Sequence, residues 1–159
     1  MKISTLRLLS ISYLLLPNLL FAVYWFRWEV SCLILAGYFY FSWLEIKGYI
    51  SDNEKILFTL RDIIFIGIIA LSWTLLTGTG GFFRQSSDFW GHNTKFYDLT
   101  KNDWPIYFKE VNTYACYYFS YYLVPSFFSK IIGFLSPALI ILWTFAGFFA
   151  GLLWVYFFS

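Results

Sequence analysis

Long apolar stretches separated by short charged breaks make up most of the chain, and one longer polar island, Thr77 to Asn112, interrupts them. A membrane-spanning helix needs about 20 predominantly apolar residues to cross roughly 30 Å of hydrocarbon. By that measure five spans are predicted, near residues 8–26, 29–46, 56–76, 111–129 and 134–158. The island, residues 77–112, becomes one large aromatic-rich loop between the third and fourth. The expected fold is therefore an all-α integral membrane protein, a single helical domain over residues 1–159.

The breaks refine this picture. Arg27, Trp28 and Glu29 make a tight connection, so the first two spans pair as an antiparallel hairpin. Residues 45–54, EIKGYISDNE, read as a short loop containing Gly48. Pro125 and Pro137 bracket a junction where Lys130, Gly133 and Ser136 supply a turn, because proline restricts its neighbour and removes a backbone donor. The fourth and fifth spans then form a second hairpin. Arg61 and Asp62 interrupt the start of the third span. Either Ile56 to Leu60 lie along the interface with Arg61 reaching the headgroups, which we favour, or the pair is an intramembrane ionic site.

Composition settles the class. With 60% apolar, 26% aromatic and 13% charged residues, the chain cannot be arranged as a soluble globule. A net charge of +2 spread over membrane flanks gives no basic face, which excludes nucleic acid as a partner. The first apolar core runs on into Val23, Tyr24, Trp25 and Phe26 without a small-residue cleavage site, so it reads as a retained anchor. Lys2, Arg7, Lys47, Lys55, Arg61 and Lys130 fall on one side of the predicted topology and Arg27, Arg84, Lys95, Lys101 and Lys109 on the other, six against five. The first helix and short loops weigh most in the positive-inside rule, which places the amino terminus in the cytoplasm and the island outside. Cys32 and Cys116 lack metal-ligand spacing and read as packing residues, with a single disulfide open.

Candidate chemistry concentrates in the island. Arg84, Asp88, His92, Asn93 and Lys95 lie close together, interleaved with Phe89 and Trp90. Arginine offers a planar fork to phosphate, Lys95 adds a point charge, and Trp90 can enter lipid or stack on a sugar ring. If Asp88 to Asn93 is helical, Asp88 and His92 stand one turn apart and can touch. A carboxylate so placed can orient the imidazole or act itself as a base. The alternative is a solvated interfacial loop. Glycines 78, 80 and 81 form GTGG, but Phe83 stands where a dinucleotide fingerprint needs its third glycine, so this reads as a flexible helix exit. Tyr114, Tyr117, Tyr118, Tyr121 and Tyr122 recur at helical spacing, predicting a phenol stripe on the fourth span, either an aromatic belt or the wall of a sugar or lipid groove.

The run GTGGFFRQSSDFWGHNTKFYDLTKNDWPIYF followed by YACYYFSYYLVPSFFSKIIG resembles the amino-terminal region of uncharacterised bacterial polytopic membrane proteins similar to the GT-C class of glycosyltransferases. The resemblance covers roughly residues 14–133. It implies a multi-pass protein of the bacterial inner membrane that transfers a sugar from a polyprenyl-phosphate carrier to a cell-envelope acceptor. It makes Asp88 the candidate base, Arg84 and Lys95 candidate phosphate contacts, and His92 and Asn93 candidate substrate contacts. Two features depart from the pattern: a hairpin of spans precedes the loop, and no paired acids stand at Asp88. The class also has more spans, so the chain reads as an incomplete portion of a larger protein or a small relative needing a partner. The rival expectations are a noncatalytic membrane subunit or binding module of an envelope complex and, third, a transporter using Arg61 and Asp62. No cofactor is indicated, and a divalent metal finds no supporting ligand spacing. Membrane lipid and partner membrane subunits are the expected partners.

Overall fold

The computed structural model describes residues 1–50, 58–115 and 118–159. Six helices run through it: α1 (Ile3–Trp25), α2 (Trp28–Ile50), α3 (Leu60–Leu76), α4 (Asp88–Lys101), α5 (Ser120–Ile132) and α6 (Pro137–Phe158). A two-stranded hairpin, β1 (Tyr107–Phe108) and β2 (Thr113–Tyr114), separates α4 from α5. Three helices are long and apolar enough to cross a membrane: Ile3–Trp25, Trp28–Gly48 and Pro137–Phe158.

Helices α1, α3 and α6 form a bundle. Leu6 and Leu153 share one buried cluster while Leu20 and Ile140 share another, so α1 runs antiparallel to α6. α3 also opposes α6, with Tyr156 donating to Asp62 at one end and Gly80, just past α3, lying against Pro137 and Ile141 at the other. Met1 and Phe58 exchange backbone hydrogen bonds of 2.5 and 3.2 Å, which brings the starts of α1 and α3 together beside the end of α6. The chain termini therefore lie at the same end of the bundle. Among the described residues α2 packs on α1 alone, as the expected hairpin, and its corner is held by Ser31, whose hydroxyl contacts the carbonyls of Ala22 and Arg27 at 2.7 and 3.1 Å.

α3 starts where its sequence stops the chain from fraying. Thr59 accepts from the Asp62 amide and the Asp62 carboxylate accepts from the Thr59 amide, a reciprocal capping box. Arg61 is exposed on the first turn. The charged interruption read at the start of the third span is thus a helix beginning, while residues 51–57, including Lys55 and Ile56, lie outside the described residues. At 17 residues α3 is about 25 Å long.

The predicted fourth span, 111–129, is not one helix. Its first part belongs to the hairpin, which turns at Asn112 (φ +51°), and the helix begins only at Ser120. α5 has 13 residues, about 20 Å, too short to cross. The turn expected at Gly133 to Pro137 is present: Gly133 ends α5 at φ +88°, and Pro137 opens α6 where its missing N–H is not needed. Pro125 lies inside α5 rather than at the junction.

Nor is residues 77–112 an extended loop. Together α4, the hairpin and α5 form a layer, the collar, at the bundle end where α1 and α3 finish and α6 begins, joined to the bundle through α5 on α1 and α6. α4 and α5 run parallel, matched at His92 with Tyr122, Phe96 with Ser126 and Asn102 with Lys130. Phe96, Leu99, Ile106, Phe119, Leu123 and Val124 pack with Leu20 and Ile140 as the collar's core. Lys130 bonds the Asn102 carbonyl, lies 3.8 Å from Asp103 and faces the Trp104 ring at 5.6 Å. That places Lys130 at the collar end, opposite the side on which the sequence count set it.

Candidate functional site

Where the collar meets the bundle, the turn Thr79–Gly81 leaves α3 and presses on the first turns of α6. Gly80 has φ +72°, and a Cβ there would sit 2.8 Å from Ile141 and 2.9 Å from the Pro137 carbonyl. Only glycine makes that approach. Across a small cavity from this turn lies α4, opened by Asp88.

Helix α4 offers one buried stripe, Phe96, Leu99 and Thr100, continued toward its start by the half-buried Phe89 and His92. Nδ1 of His92 is 2.5 Å from the Tyr122 hydroxyl, the two rings are stacked at 5.9 Å, and the Phe89 ring stands edge-on at 5.7 Å. Asn93 donates to Gln85 at 2.9 Å, and Gln85 in turn donates to the Gly78 carbonyl at 2.8 Å. This relay fastens α4 to the end of α3. His92 and Asn93, with Phe89, Phe96, Thr79 and Tyr121, line a cavity of about 150 Å³.

The other sequence-predicted residues fall outside it. Asp88 is exposed on the first turn of α4, where a negative charge complements the helix dipole. It stands one turn before His92, as the helical spacing predicts, but the imidazole bonds Tyr122 instead. Arg84 is exposed, and its backbone carbonyl closes on Gly78. Trp90 is 81% exposed on the outer side of α4. The Lys95 ammonium lies 5.8 Å from the Tyr122 ring centre. The structure thus brings His92 and Asn93 to one cavity, sets Lys95 beside Tyr122, the partner of His92, and leaves Asp88, Arg84 and Trp90 exposed outside the cavity.

The tyrosine stripe is broken up. Tyr114 is in β2 facing Tyr107, Tyr118 precedes α5, and Tyr121 and Tyr122 point to different partners. Tyr117 and Cys116 lie outside the described residues, and Cys32 is a free, exposed thiol. Sequence reasoning missed Thr79, Thr144 and Tyr13 beside Tyr121, which together border a second, larger space of about 510 Å³ adjoining the first. Thr144 sits in the span that carries no charge, so no local polarity marked it. Tyr13 stacks on Trp143 at 4.1 Å.

Among groups of the collar, burial holds the Asp98 carboxyl above its usual range. Among the described residues, no three His, Cys, Asp or Glu side chains converge as metal ligands. Compared with known protein families, curated proteins and solved structures, the chain matches none.

Proposed function

We propose that the protein is a GT-C-like membrane glycosyltransferase that moves a sugar from a polyprenyl-phosphate carrier to a cell-envelope acceptor. The supporting observation is the placement of Asp88 and His92 one turn apart on a helix that roofs a cavity between collar and bundle. In this reading Asp88 takes the acceptor proton, and His92, held by Tyr122, fixes the acceptor with Asn93. The exposed Arg84 and Trp90, with Lys95 beside Tyr122, meet the carrier phosphate and the lipid interface. The setting is a bacterial inner membrane with the amino terminus cytoplasmic. With Lys130 moved, the basic residues divide five against six, so this orientation rests on Lys2 and Arg7 flanking the first helix.

Transfer assayed in proteoliposomes with labelled polyprenyl-phosphate sugars tests it. Asp88→Asn should lower the rate by about 100-fold or more, the scale of a lost general base. An unchanged rate discards the proposal.

A second reading, a noncatalytic subunit of an envelope complex, is favoured by α2. Among the described residues that helix packs on α1 alone, and it exposes Leu33, Phe39, Phe41 and Trp43 to between 63% and 76%. Full activity of such a complex after joint substitution of Asp88, Arg84 and His92 would select it. The transporter reading is weakened because Asp62 is engaged in capping α3.

A further inference from the structure

The larger space beside the cavity is a groove bordered by five hydroxyls, those of Tyr13, Thr77, Thr79, Tyr121 and Thr144. Each hydroxyl carries one proton and two lone pairs. Thr144 donates to the Ile140 carbonyl at 2.8 Å, and Thr77 to the Thr74 carbonyl at 2.7 Å. With those protons committed, the Tyr121 and Thr79 hydroxyls must supply the protons for the contacts that link Thr144, Tyr121, Thr79 and Thr77, at 2.6 Å between Tyr121 and Thr144 and 3.0 Å between Thr77 and Thr79. Four of the five protons are therefore spent inside the protein. What these four oxygens have left for a ligand is lone pairs.

Such a wall discriminates by donor count. A phosphate or carboxylate brings only acceptors and would meet a single free donor, the Tyr13 hydroxyl, which has no hydrogen-bond partner among the described residues. An ammonium would find no compensating charge, since among the described residues no ionised side chain lines the groove. An uncharged polyol supplies the missing protons and can accept the one that Tyr13 keeps. Phe148, exposed on the apolar helix α6, continues the groove as a surface for a hydrocarbon chain. The close fit of Tyr13 is itself built in: a Cβ on Gly147 would lie 2.5 Å from its hydroxyl oxygen, so any larger residue displaces that donor.

We propose that this groove binds the uncharged, hydroxyl-rich headgroup of a membrane lipid, a sugar or glycerol head whose O–H groups donate to Tyr121, Thr144, Thr77 and Thr79. The site is distinct from the exposed Asp88 and does not depend on transfer chemistry.

Retention of tritiated monoglucosyl diacylglycerol by the full chain in phosphatidylcholine nanodiscs is the test. Saturable binding is expected, displaced by unlabelled glucosyl diacylglycerol and not by phosphatidic acid. Tyr121→Phe combined with Thr144→Val should weaken it about tenfold, as loss of two hydrogen-bond acceptors implies. Thr94→Val, which removes a hydroxyl bonded only within α4, should leave it unchanged. Phe148→Trp keeps every hydroxyl but fills the groove, and should weaken binding even if the double variant folds poorly. Displacement by phosphatidic acid as strong as by the glycolipid, equal binding in all variants, or no saturable retention would each overturn the assignment. Because the readout contains no transfer step, glycolipid retention without sugar transfer would remove the transferase reading and leave the groove standing.

Discussion

The two ends of the α1–α3–α6 bundle solve the same packing problem in opposite ways. At the end holding the chain termini, Leu6, Phe58, Ile66 and Leu153 meet as a buried apolar plug, all but Ile66 at most 1% exposed, and the space of about 700 Å³ there borders Leu60, Arg61, Asp62 and Tyr156 rather than the plug itself. At the collar end the same helices present Tyr13, Thr77 and Thr144, and a groove remains open. Overall composition does not separate these ends, since α6 contributes to both without a single charge. The lesson is that a few threonine and tyrosine oxygens, already paired with one another, suffice to keep space open between apolar helices.

The largest effect is expected at the plug. Leu153→Ala should cost about 3 kcal/mol of stability in a detergent unfolding titration, the usual range for a buried leucine whose site cannot collapse, yet leave glycolipid retention unchanged. A cost near zero would mean that this end is as open as the other. At the collar end, Gly80→Ala should cost about 2 kcal/mol by the same titration, because a side chain must adopt a positive φ and push Ile141 aside. Unlike the leucine variant, it should also reduce retention, since the turn it moves carries Thr79.

Tyr122→Phe should have a smaller effect, about 1 kcal/mol. Its sharper signature is a change in the ¹⁵N shifts of the His92 ring, whose tautomer loses its partner at Nδ1; unchanged shifts would show that the bond does not set the tautomer. Least is expected from Asp98→Asn. Burial raises the folded-state pKa of this carboxyl, so its contribution to stability is present at low pH and is lost as pH rises through the raised value. The variant should therefore gain on the native protein as pH increases, and melting temperatures taken across the acidic to neutral range should diverge in that direction. Divergence toward low pH would contradict the burial.

The four long helices were legible because length and uninterrupted apolar composition are strong signals in a chain this poor in charge. The collar was harder to read. Residues 111–119 are as aromatic as a span, and nothing local announces that Asn112 will turn left-handed and pair Tyr107 with Tyr114. In α4 the signal existed: Phe89, His92, Phe96 and Leu99 recur at helical spacing, but over a stretch short and polar enough to pass for a loop. His92 was among the residues singled out in the island, whereas its partner Tyr122 was hidden among five tyrosines that the periodicity assigned to one face. Lys130 was misplaced because a fourth crossing was assumed, and a 13-residue helix returns the chain to the side from which it came.

The contact of Gly80 with Pro137 has a consequence for how the molecule is put together. The chain leaves α3 and rejoins at α6 at nearly the same point, so the intervening residues 82–136 form a closed excursion. α3 and α6 are already antiparallel neighbours, and a short link could join them without moving either helix. The collar is therefore architecturally a parenthesis: variation in its length, or exchange for another insert, would be felt by the groove it walls and hardly at all by the plug at the far end.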